Sequence, residues 1–337
     1  MKMNRLIGLI LLLFAAVGCA VITLPLGFSG RETRLQEFVI RPAKSRFVSD
    51  KILLLDISGS ITGEASEGLL TESPSTLAEV RDVLDKAEKD KYLKAIVLRI
   101  NSPGGEVTAS DSIYEQIRRF KQKRLEDKKP VVVVASMLGL GASGAYYIAL
   151  AADKIYAHPT NITGSIGVVA IFPKLADLTR KIGVDVRVLK SADKKDIGSM
   201  WRDFTPEERT ILQQTIDEMY ERFIRIVTEN RPALRNIETV RRLADGRIYT
   251  ATQALENHLI DDILYLDDVI ERAKSQARIS DASVVTYRRS ATFRGGIYSR
   301  ALPATPHASP QVNLLQINAD GIFAPLRQPG FYYLWMP

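Results

Sequence analysis

The chain has 337 residues, of which 46% are hydrophobic, and it carries a formal net charge of +7. This length allows one large domain or two small ones with a sizeable hydrophobic core. Cys19 is the single cysteine, so an internal disulfide and a thiolate metal cluster are both excluded. The positive charges are spread along the chain with no basic block interleaved with aromatic residues. This pattern argues against nucleic acid as a partner and favours solvent or anionic lipid head groups.

The first 30 residues predict a membrane anchor or a signal segment. No charged residue lies between Arg5 and Arg31, and the 23 residues Leu6 to Phe28 are almost wholly apolar. As a helix they would extend roughly 35 Å, enough to cross a bilayer core of about 30 Å. Because Lys2 and Arg5 precede the apolar run, we expect a cytoplasmic N-terminus and an exported remainder.

A cleaved segment is the alternative. Ala16-Val17-Gly18-Cys19 loosely fits a lipoprotein cleavage site with Cys19 as the lipidated residue, although Leu is commoner at its first position. The apolar run continues nine residues past Cys19, which favours an uncleaved transmembrane helix.

After a polar linker at residues 31–50, apolar runs alternate with amphipathic segments. This alternation predicts an α/β domain over residues 51–280, with a mostly parallel sheet and flanking helices. The predicted strands are Ile52–Ile57, Ala95–Ile100, Val131–Ser136, Lys154–Ala157 and Val184–Lys190. The predicted helices are Leu77–Lys91, Ser110–Lys123, Ser143–Ala152 and a segment that begins at Pro206.

The helix at Pro206 has a clear start and an apolar face. Thr205 is placed to cap it and acidic residues follow in its first turn. Its apolar stripe predicts a core contact or a subunit interface. The stripe comprises Leu212, Ile216, Met219, Phe223 and Ile226. Residues 281–337 read as a Pro-rich C-terminal extension, whose last aromatic residues, 331–335, are predicted to dock as an apolar tail or at an interface.

Two strand ends carry small residues that suit catalysis. Asn101-Ser102-Pro103-Gly104-Gly105 follows one predicted strand, and Ser143 lies between Ala142 and Gly144 after another. Consecutive glycines allow backbone N–H groups to face a ligand. A serine at a sharp strand-to-helix turn has an exposed hydroxyl. Together these features predict acyl transfer, with a serine nucleophile beside an oxyanion site.

The residues alone do not identify the base that would activate Ser143. The three histidines, His158, His258 and His307, lie in sequence contexts without catalytic features. Ser–Lys pairs are an attested alternative. A lysine needs its pKa lowered from about 10.4 to act as a base near neutral pH, and burial can supply this. Lys190, Lys194 and Lys195 follow the last predicted strand, and spacing does not choose among them.

Six motifs in order resemble the signal peptide peptidase A family. These are the membrane-anchored bacterial Ser–Lys proteases of the Clp/crotonase fold, and the resemblance covers about Lys51 to Ile263 and is to their short form. The matching pieces are Asn101–Gly105, Ala142–Tyr147, Ala151–Ile155, Thr163–Val168, Lys195–Ile197 and Ala244–Arg247. Where the family often has glycine after Ser-Gly, this chain has Ala145.

The resemblance implies a role for five residues. Ser143 is the implied nucleophile, Lys195 the general base, and Ser165 the residue that orients the lysine. The backbone N–H groups of Gly105 and Gly144 form the implied oxyanion hole. No metal or organic cofactor is implied.

The family also implies a biological setting. The expected protein is a homo-oligomer on the bacterial cytoplasmic (inner) membrane, with its catalytic domain on the extracytoplasmic side and active sites shared between subunits. The implied substrates are remnant signal peptides. The alternatives are the same chemistry on a specific membrane protein, a crotonase-type acyl-CoA enzyme, and a non-catalytic membrane scaffold.

Overall fold

The computed structural model describes residues 35–67, 72–289, 297 and 330–336. The predicted anchor with Cys19, and His307 with the Pro-rich part of the extension, lie outside the described residues. No helix in the described ranges is both long and apolar enough to cross a membrane.

The described residues alternate strands and helices, as the sequence predicts. The strands are β1 Gln36–Arg41, β2 Lys51–Ser58, β3 Ser66–Glu67, β4 Glu72–Ser73, β5 Leu93–Ser102, β6 Gly104–Glu106, β7 Val132–Ala142, β8 Lys154–Ala157, β9 Ile162–Gly164, β10 Val169–Ile171, β11 Ile248–Thr250, β12 Asp262–Ile263, β13 Ser283–Arg288 and β14 Gly330–Leu334. The helices are α1 Thr76–Lys89, α2 Val107–Glu126, α3 Gly144–Ala149, α4 Ala176–Lys181, α5 Pro206–Asn230, α6 Ile237–Leu243, α7 Ala251–Glu256 and α8 Leu266–Gln276.

The central sheet has the strand order β1-β13-β2-β5-β7-β8-β12, and its strands from β13 to β12 are parallel. Its strands are nearly continuous apolar runs because helices cover both faces. Helix α8 packs its buried residues against one face. Helices α1, α2, α3 and α5 contribute to the larger core on the other. The predicted α/β class with a mostly parallel sheet is confirmed.

Helix α5 begins as its sequence predicts. The Thr205 side chain accepts a hydrogen bond from the Glu208 backbone N–H, and the Glu208 carboxylate accepts one from the Thr205 backbone N–H. Along the predicted stripe, Phe223 and Ile226 are buried and Met219 packs partly against the core. The second half of the stripe is therefore a core contact within the chain, whereas Leu212 and Ile216 are half-buried and lie outside the core cluster.

Three segments differ from their predicted structure. The expected linker contains β1, which pairs with β13, and β13 itself lies inside the central sheet although it follows residue 280. The strand predicted at Val184–Lys190 is wrong, because this segment is irregular and Val184, Val186 and Val188 are exposed. An alternating pattern forms a strand only where another strand supplies hydrogen-bond partners, and none in the described part of the chain does so here.

A second, small sheet lies beside the carboxyl end of the central one. Its order is β10-β14-β6, and β14 is antiparallel to both neighbours. The predicted docking of the C-terminal aromatic residues is confirmed, and they dock on the glycine-rich strand β6.

Candidate active site

Ser143 lies at a sharp turn between β7 and α3. Its backbone angles, φ 54° and ψ −117°, are rarely adopted by residues other than glycine. The turn is held by the Ser143 N–H, which donates to the Gly164 carbonyl at 2.7 Å. A strained, over-determined turn of this kind presents a nucleophile at the end of a parallel sheet.

The Ser143 hydroxyl lies in an unusual environment. The residue is 1% exposed, and its Oγ has no hydrogen-bond partner among the described residues. A buried hydroxyl without a partner is costly, so such a group marks a functional site or a missing partner. This makes the Ser143 hydroxyl a candidate for the functional group of the site.

Ser165 directly follows Gly164, whose carbonyl accepts the hydrogen bond from the Ser143 N–H. It follows Gly164 at the end of β9, has φ 49°, and is 8% exposed. Its N–H donates to the Arg247 carbonyl at 2.7 Å, because β9 pairs with β11 just beyond Arg247. The motif containing Arg247 thus fixes the backbone of Ser165 near the Ser143 turn.

The first two positions of β6, Gly104 and Gly105, leave no room for a side chain. Gly104 has φ +100°, and a Cβ on Gly105 would lie 2.1 Å from the Ile61 carbonyl oxygen. Ile61 donates to the Gly104 carbonyl and accepts from the Glu106 N–H, each at 2.9 Å. Ile61 therefore fixes one edge of β6 and leaves the opposite edge available for pairing.

Gly144 lies next to this strand. A Cβ on Gly144 would lie 2.4 Å from the Ser110 Oγ and 3.3 Å from the Gly105 backbone nitrogen. Glycine is thus required for the close approach of α3 to β6. The structure brings Ser143, Gly144 and Gly105 together, which is the arrangement that an oxyanion hole requires.

The three candidate lysines differ in their partners. Lys190 Nζ lies 2.8 Å from Asp196 Oδ1, and Lys194 forms an ion pair with Glu207. The hydrogen bond with Glu207 raises the pKa of Lys194, which is the wrong direction for a base. Lys195 is exposed and has no hydrogen-bonding or charged partner for its side chain in the described ranges. The structure does not bring it against Ser143.

An ion-pair network holds the segment that carries Lys195. Arg202 Nη2 lies 2.7 Å from Asp196 Oδ1, and Arg202 Nη1 lies 2.7 Å from Glu208 Oε2. Glu208 also accepts the Thr205 N–H at 2.9 Å. Arg202 therefore ties the residues after Lys195 to the first turn of α5.

This network predicts an acid-sensitive contribution to stability. The hydrogen bonds from Arg202 lower the pKa of Glu208 from 4.5 to about 2. Because the folded-state pKa lies below the unfolded one, the contribution is complete above pH 4.5 and is lost as the pH falls toward 2. We expect Glu208→Gln to lower Tm at pH 7 and to flatten the decline of Tm below pH 4.5, measured by circular dichroism from pH 7 to 3.

Glu218→Gln is the matched control, since Glu218 lies on the same helix and has no ion pair among the described residues. It should leave both Tm and its pH dependence unchanged. An unaltered acid slope in Glu208→Gln would contradict the assignment.

The described histidines do not serve Ser143. His158 Nδ1 lies 2.9 Å from Thr160 Oγ1, and the ring packs edge-on against Tyr265. His258 has φ 59°, and its carbonyl accepts from Arg231 at 2.9 Å. Neither contacts the Ser143 hydroxyl, which has no partner among the described side chains.

Tyr333 lies at the site although no sequence motif indicates it. Its carbonyl oxygen would lie 3.1 Å from a Cβ on Gly144 and 2.1 Å from one on Gly104. The Tyr333 carbonyl therefore lies against Gly104 and Gly144, and Tyr333 is paired with Gly105 in the small sheet. The aromatic character of residues 331–335 was the available signal, but aromatic composition does not specify where a strand pairs.

The chain is similar to known peptidases. Residues 123–280 match the family model of peptidase family S49, and residues 70–161 match that of Clp protease. The chain is 32% identical over 244 residues to "Putative signal peptide peptidase SppA" of Enterococcus faecium, covering 72% of this chain and 68% of that one.

Two longer relatives match over about one third of their length. "Protease 4" of Salmonella typhi is 34% identical over 218 residues, covering 65% of this chain and 33% of that one. "Serine protease SPPA, chloroplastic" of Arabidopsis thaliana is 33% identical over 236 residues, covering 68% of this chain and 33% of that one. The matched S49 region includes the strained Ser143 turn, and on this evidence the chain belongs to peptidase family S49 and is a serine protease.

Proposed function

We propose that this protein is a membrane-anchored endopeptidase that cleaves extended peptides, remnant signal peptides in particular, with Ser143 and Lys195 as a catalytic dyad. The observation that carries the proposal is the buried Ser143 hydroxyl on a strained turn beside Gly105 and Gly144, for which the described part of the chain supplies no hydrogen-bond partner. Strand β6 next to it already pairs with an extended segment, β14, as a peptide substrate would.

In the proposed mechanism, neutral Lys195 removes the Ser143 proton as Oγ attacks a peptide carbonyl carbon. The carbonyl oxygen becomes an oxyanion that accepts hydrogen bonds from the Gly105 and Gly144 N–H groups. Lys195 then protonates the leaving amine as the C–N bond breaks, and water hydrolyses the acyl-enzyme. Ser165 orients the lysine amine. The residues require no metal or organic cofactor for this sequence of steps.

We further propose that Lys195 acts on the Ser143 of a second copy of the chain. The hydroxyl has no partner among the described residues of one chain, and Lys195 is exposed. The segment around Lys195 also exposes large apolar side chains, with Leu189 99% and Ile182 65% accessible. Exposed apolar surface of this kind is typical of a protein interface. Assembly would bury it and would desolvate the lysine, which lowers its pKa.

The proposed location is the cytoplasmic membrane of a bacterium, with the catalytic domain outside the cytoplasm. The support is the uncharged stretch before Arg31 and the positive residues that precede it. An anchor would concentrate the enzyme and membrane-bound signal peptides on one surface. The name of the Enterococcus faecium relative points to the same substrates.

A synthetic signal peptide tests this function directly. We expect the detergent-solubilised full-length protein to cleave it, and Ser143→Ala to lose at least about 10³-fold in kcat/KM while keeping its circular dichroism spectrum. A scrambled hydrophilic peptide of equal length is the substrate control. If only one native membrane protein is cleaved and no signal peptide is, the alternative of a dedicated membrane-protein protease replaces the proposal. If no peptide or protein is cleaved, the hypothesis of a non-catalytic membrane scaffold is favoured. Turnover of acyl-CoA would favour the hypothesis of a crotonase-type enzyme.

A further inference from the structure

An acidic residue directly follows the proposed base in the chain. Lys195 is exposed, whereas the side chain of Asp196 is only 13% exposed. A carboxylate beside a lysine stabilises the charged form of the amine, which opposes its use as a base. The neighbouring ion pair shows this effect, because the hydrogen bond with Glu207 raises the pKa of Lys194. A free Asp196 carboxylate would therefore oppose the proposed role of Lys195.

Arg202 binds both oxygens of the Asp196 carboxylate. Arg202 Nε donates to Asp196 Oδ2 at 2.9 Å, and Arg202 Nη2 donates to Oδ1 at 2.7 Å. Lys190 Nζ donates to the same Oδ1 at 2.8 Å. The hydrogen bonds from Arg202, and after them those from Lys190, hold the pKa of Asp196 well below its usual range. The carboxylate is therefore charged, and both of its oxygens are occupied by cations other than Lys195.

A second carboxylate fixes the orientation of Arg202. The side chain of Glu208 is 1% exposed, and it accepts from Arg202 Nη1 at 2.7 Å and from Nη2 at 2.5 Å. A guanidinium can bind two carboxylates at once because its donors lie in one rigid plane, and a lysine amine does not reproduce this geometry. Glu208 thus holds Arg202 in the orientation that covers Asp196.

The backbone on both sides of Lys195 is also held in place. The Lys195 N–H donates to the Ala192 carbonyl at 3.1 Å. Gly198 has φ +84°, and a Cβ there would lie 2.9 Å from Cε1 of the Phe172 ring. The segment is therefore fixed by contacts within the chain, while the amine of Lys195 makes no polar contact with the described residues.

The other charged groups of the segment are paired elsewhere or exposed to water. The paired groups form two ion pairs, Lys194 with Glu207 and Lys174 with Asp203. Asp193 is exposed, and the structure shows no ion pair for it within the described ranges. Water and salt screen an exposed carboxylate strongly. Asp196 is thus the acid that would affect the lysine most if Arg202 were removed.

We propose that Arg202 is a positioning residue that binds Asp196 and keeps its carboxylate away from Lys195, so that the lysine amine is free to accept the Ser143 proton. The proposal rests on the proposed function and adds a residue to it. In this role Arg202 acts through Asp196 and does not contact the reacting atoms. Without Arg202, a free carboxylate would lie next to the base, and the base would stay protonated up to a higher pH.

The pH dependence of peptide hydrolysis tests this role. In Arg202→Gln we expect the pH of half-maximal kcat/KM to rise by about 0.5 to 1 unit. Below this midpoint kcat/KM should fall about 3- to 10-fold, and at high pH it should approach the wild-type value because the base is again neutral. A residue that only stabilises the fold would lower kcat/KM by the same factor at every pH. A rate loss with an unchanged midpoint would therefore overturn the proposal.

Two double variants show whether Asp196 causes the shift. Arg202→Gln/Asp196→Asn removes the freed carboxylate and should return the midpoint to within about 0.2 unit of wild type. Arg202→Gln/Glu208→Gln leaves no unpaired buried carboxylate on α5, which protects against misfolding, and it should keep the raised midpoint. Arg202→Lys keeps the charge without the planar fork and should show a smaller rise. A midpoint that stays raised in Arg202→Gln/Asp196→Asn would contradict the role of Asp196.

Lys194→Ala is the matched control, because it also removes a cation next to Lys195 and frees a carboxylate. The freed group is Glu207, whose side chain is 68% exposed. The midpoint should therefore change by less than about 0.2 unit. Equal shifts in Lys194→Ala and Arg202→Gln would show a general effect of charge and would overturn the specific role of Arg202.

A measurement without hydrolysis separates this inference from the proposed function. Full-length Ser143→Ala and Ser143→Ala/Arg202→Gln are treated with acetic anhydride over a range of pH, and acetylation of Lys195 is compared with that of exposed Lys44 by mass spectrometry. Only a neutral amine reacts, so Arg202→Gln should slow the acetylation of Lys195 about 3- to 10-fold below the midpoint, and Asp196→Asn should restore it. If acetylation changes in this way but no peptide is cleaved, only the proposed function fails. If Lys195-dependent hydrolysis is found but neither its midpoint nor the acetylation changes, only this inference fails.

Discussion

Ser143→Ala and Lys195→Ala should each be inactive alone, and an equimolar mixture of the two should recover about a quarter of the wild-type activity after subunit exchange. In the mixture, a site is intact only where a subunit with Ser143 meets a neighbour with Lys195. With random assembly, each condition is met half the time. Peptide hydrolysis after mild dissociation and reassembly in detergent measures the recovery.

The physical basis is the separation of the two residues within one chain. The Ser143 hydroxyl has no partner among the described residues, although it is only 1% exposed. A dyad within one chain would show a lysine against that hydroxyl. No recovery in the mixture, with both single variants inactive and correctly assembled, would place the dyad within one chain.

Lys194→Ala is the matched control for the lysine, since it neighbours Lys195 but is held by Glu207. It should keep wild-type hydrolysis within about 2-fold, as most exposed substitutions do. If Lys195→Ala is active and Lys194→Ala is not, the assignment of the base is wrong.

Gly105→Ala should reduce kcat by roughly 10²- to 10³-fold, the range seen when one oxyanion donor is displaced. The added Cβ would lie 2.1 Å from the Ile61 carbonyl oxygen and 2.5 Å from its nitrogen. Both contacts are with backbone atoms, so the strand must shift rather than a side chain. The shift moves the Gly105 N–H away from the reacting carbonyl.

Gly139→Ala supplies the control, because a Cβ there would lie 3.5 Å from Asn101 Oδ1, an ordinary contact. The rate of the chemical step is measured for both variants by single-turnover kinetics, and their folding is checked by a thermal melt. Near-normal kcat in a folded Gly105→Ala variant would exclude the Gly105 N–H from the oxyanion hole. Loss of activity in Gly139→Ala would show that the assay reports general damage near β7.

The strongest local patterns predicted their elements well. The strand at Lys154–Ala157 has the predicted bounds, and the cap at Thr205 forms the predicted start of α5. In both cases the information is local: an apolar run between charged residues, or a capping residue followed by Pro and Glu. Such signals need no distant partner.

The errors lie where an element depends on a distant partner. Strands β1 and β13 pair with each other although they are separated by the whole domain. The alternating residues Val184–Lys190 have the pattern of a strand but no strand beside them in the described part of the chain. Sheet pairing is a long-range interaction, and a single segment does not show it.

The sequence by itself determined the α/β class, the turn residues around Ser143 and the glycines of β6, because each follows from local chemistry and spacing. Only the tertiary structure decided that Gly105 and Gly144 meet, that Arg247 holds Ser165 beside the Ser143 turn, and that Tyr333 pairs with Gly105. These contacts join residues far apart in the chain. They depend on strand register and close packing, which the complete fold sets and no single motif contains.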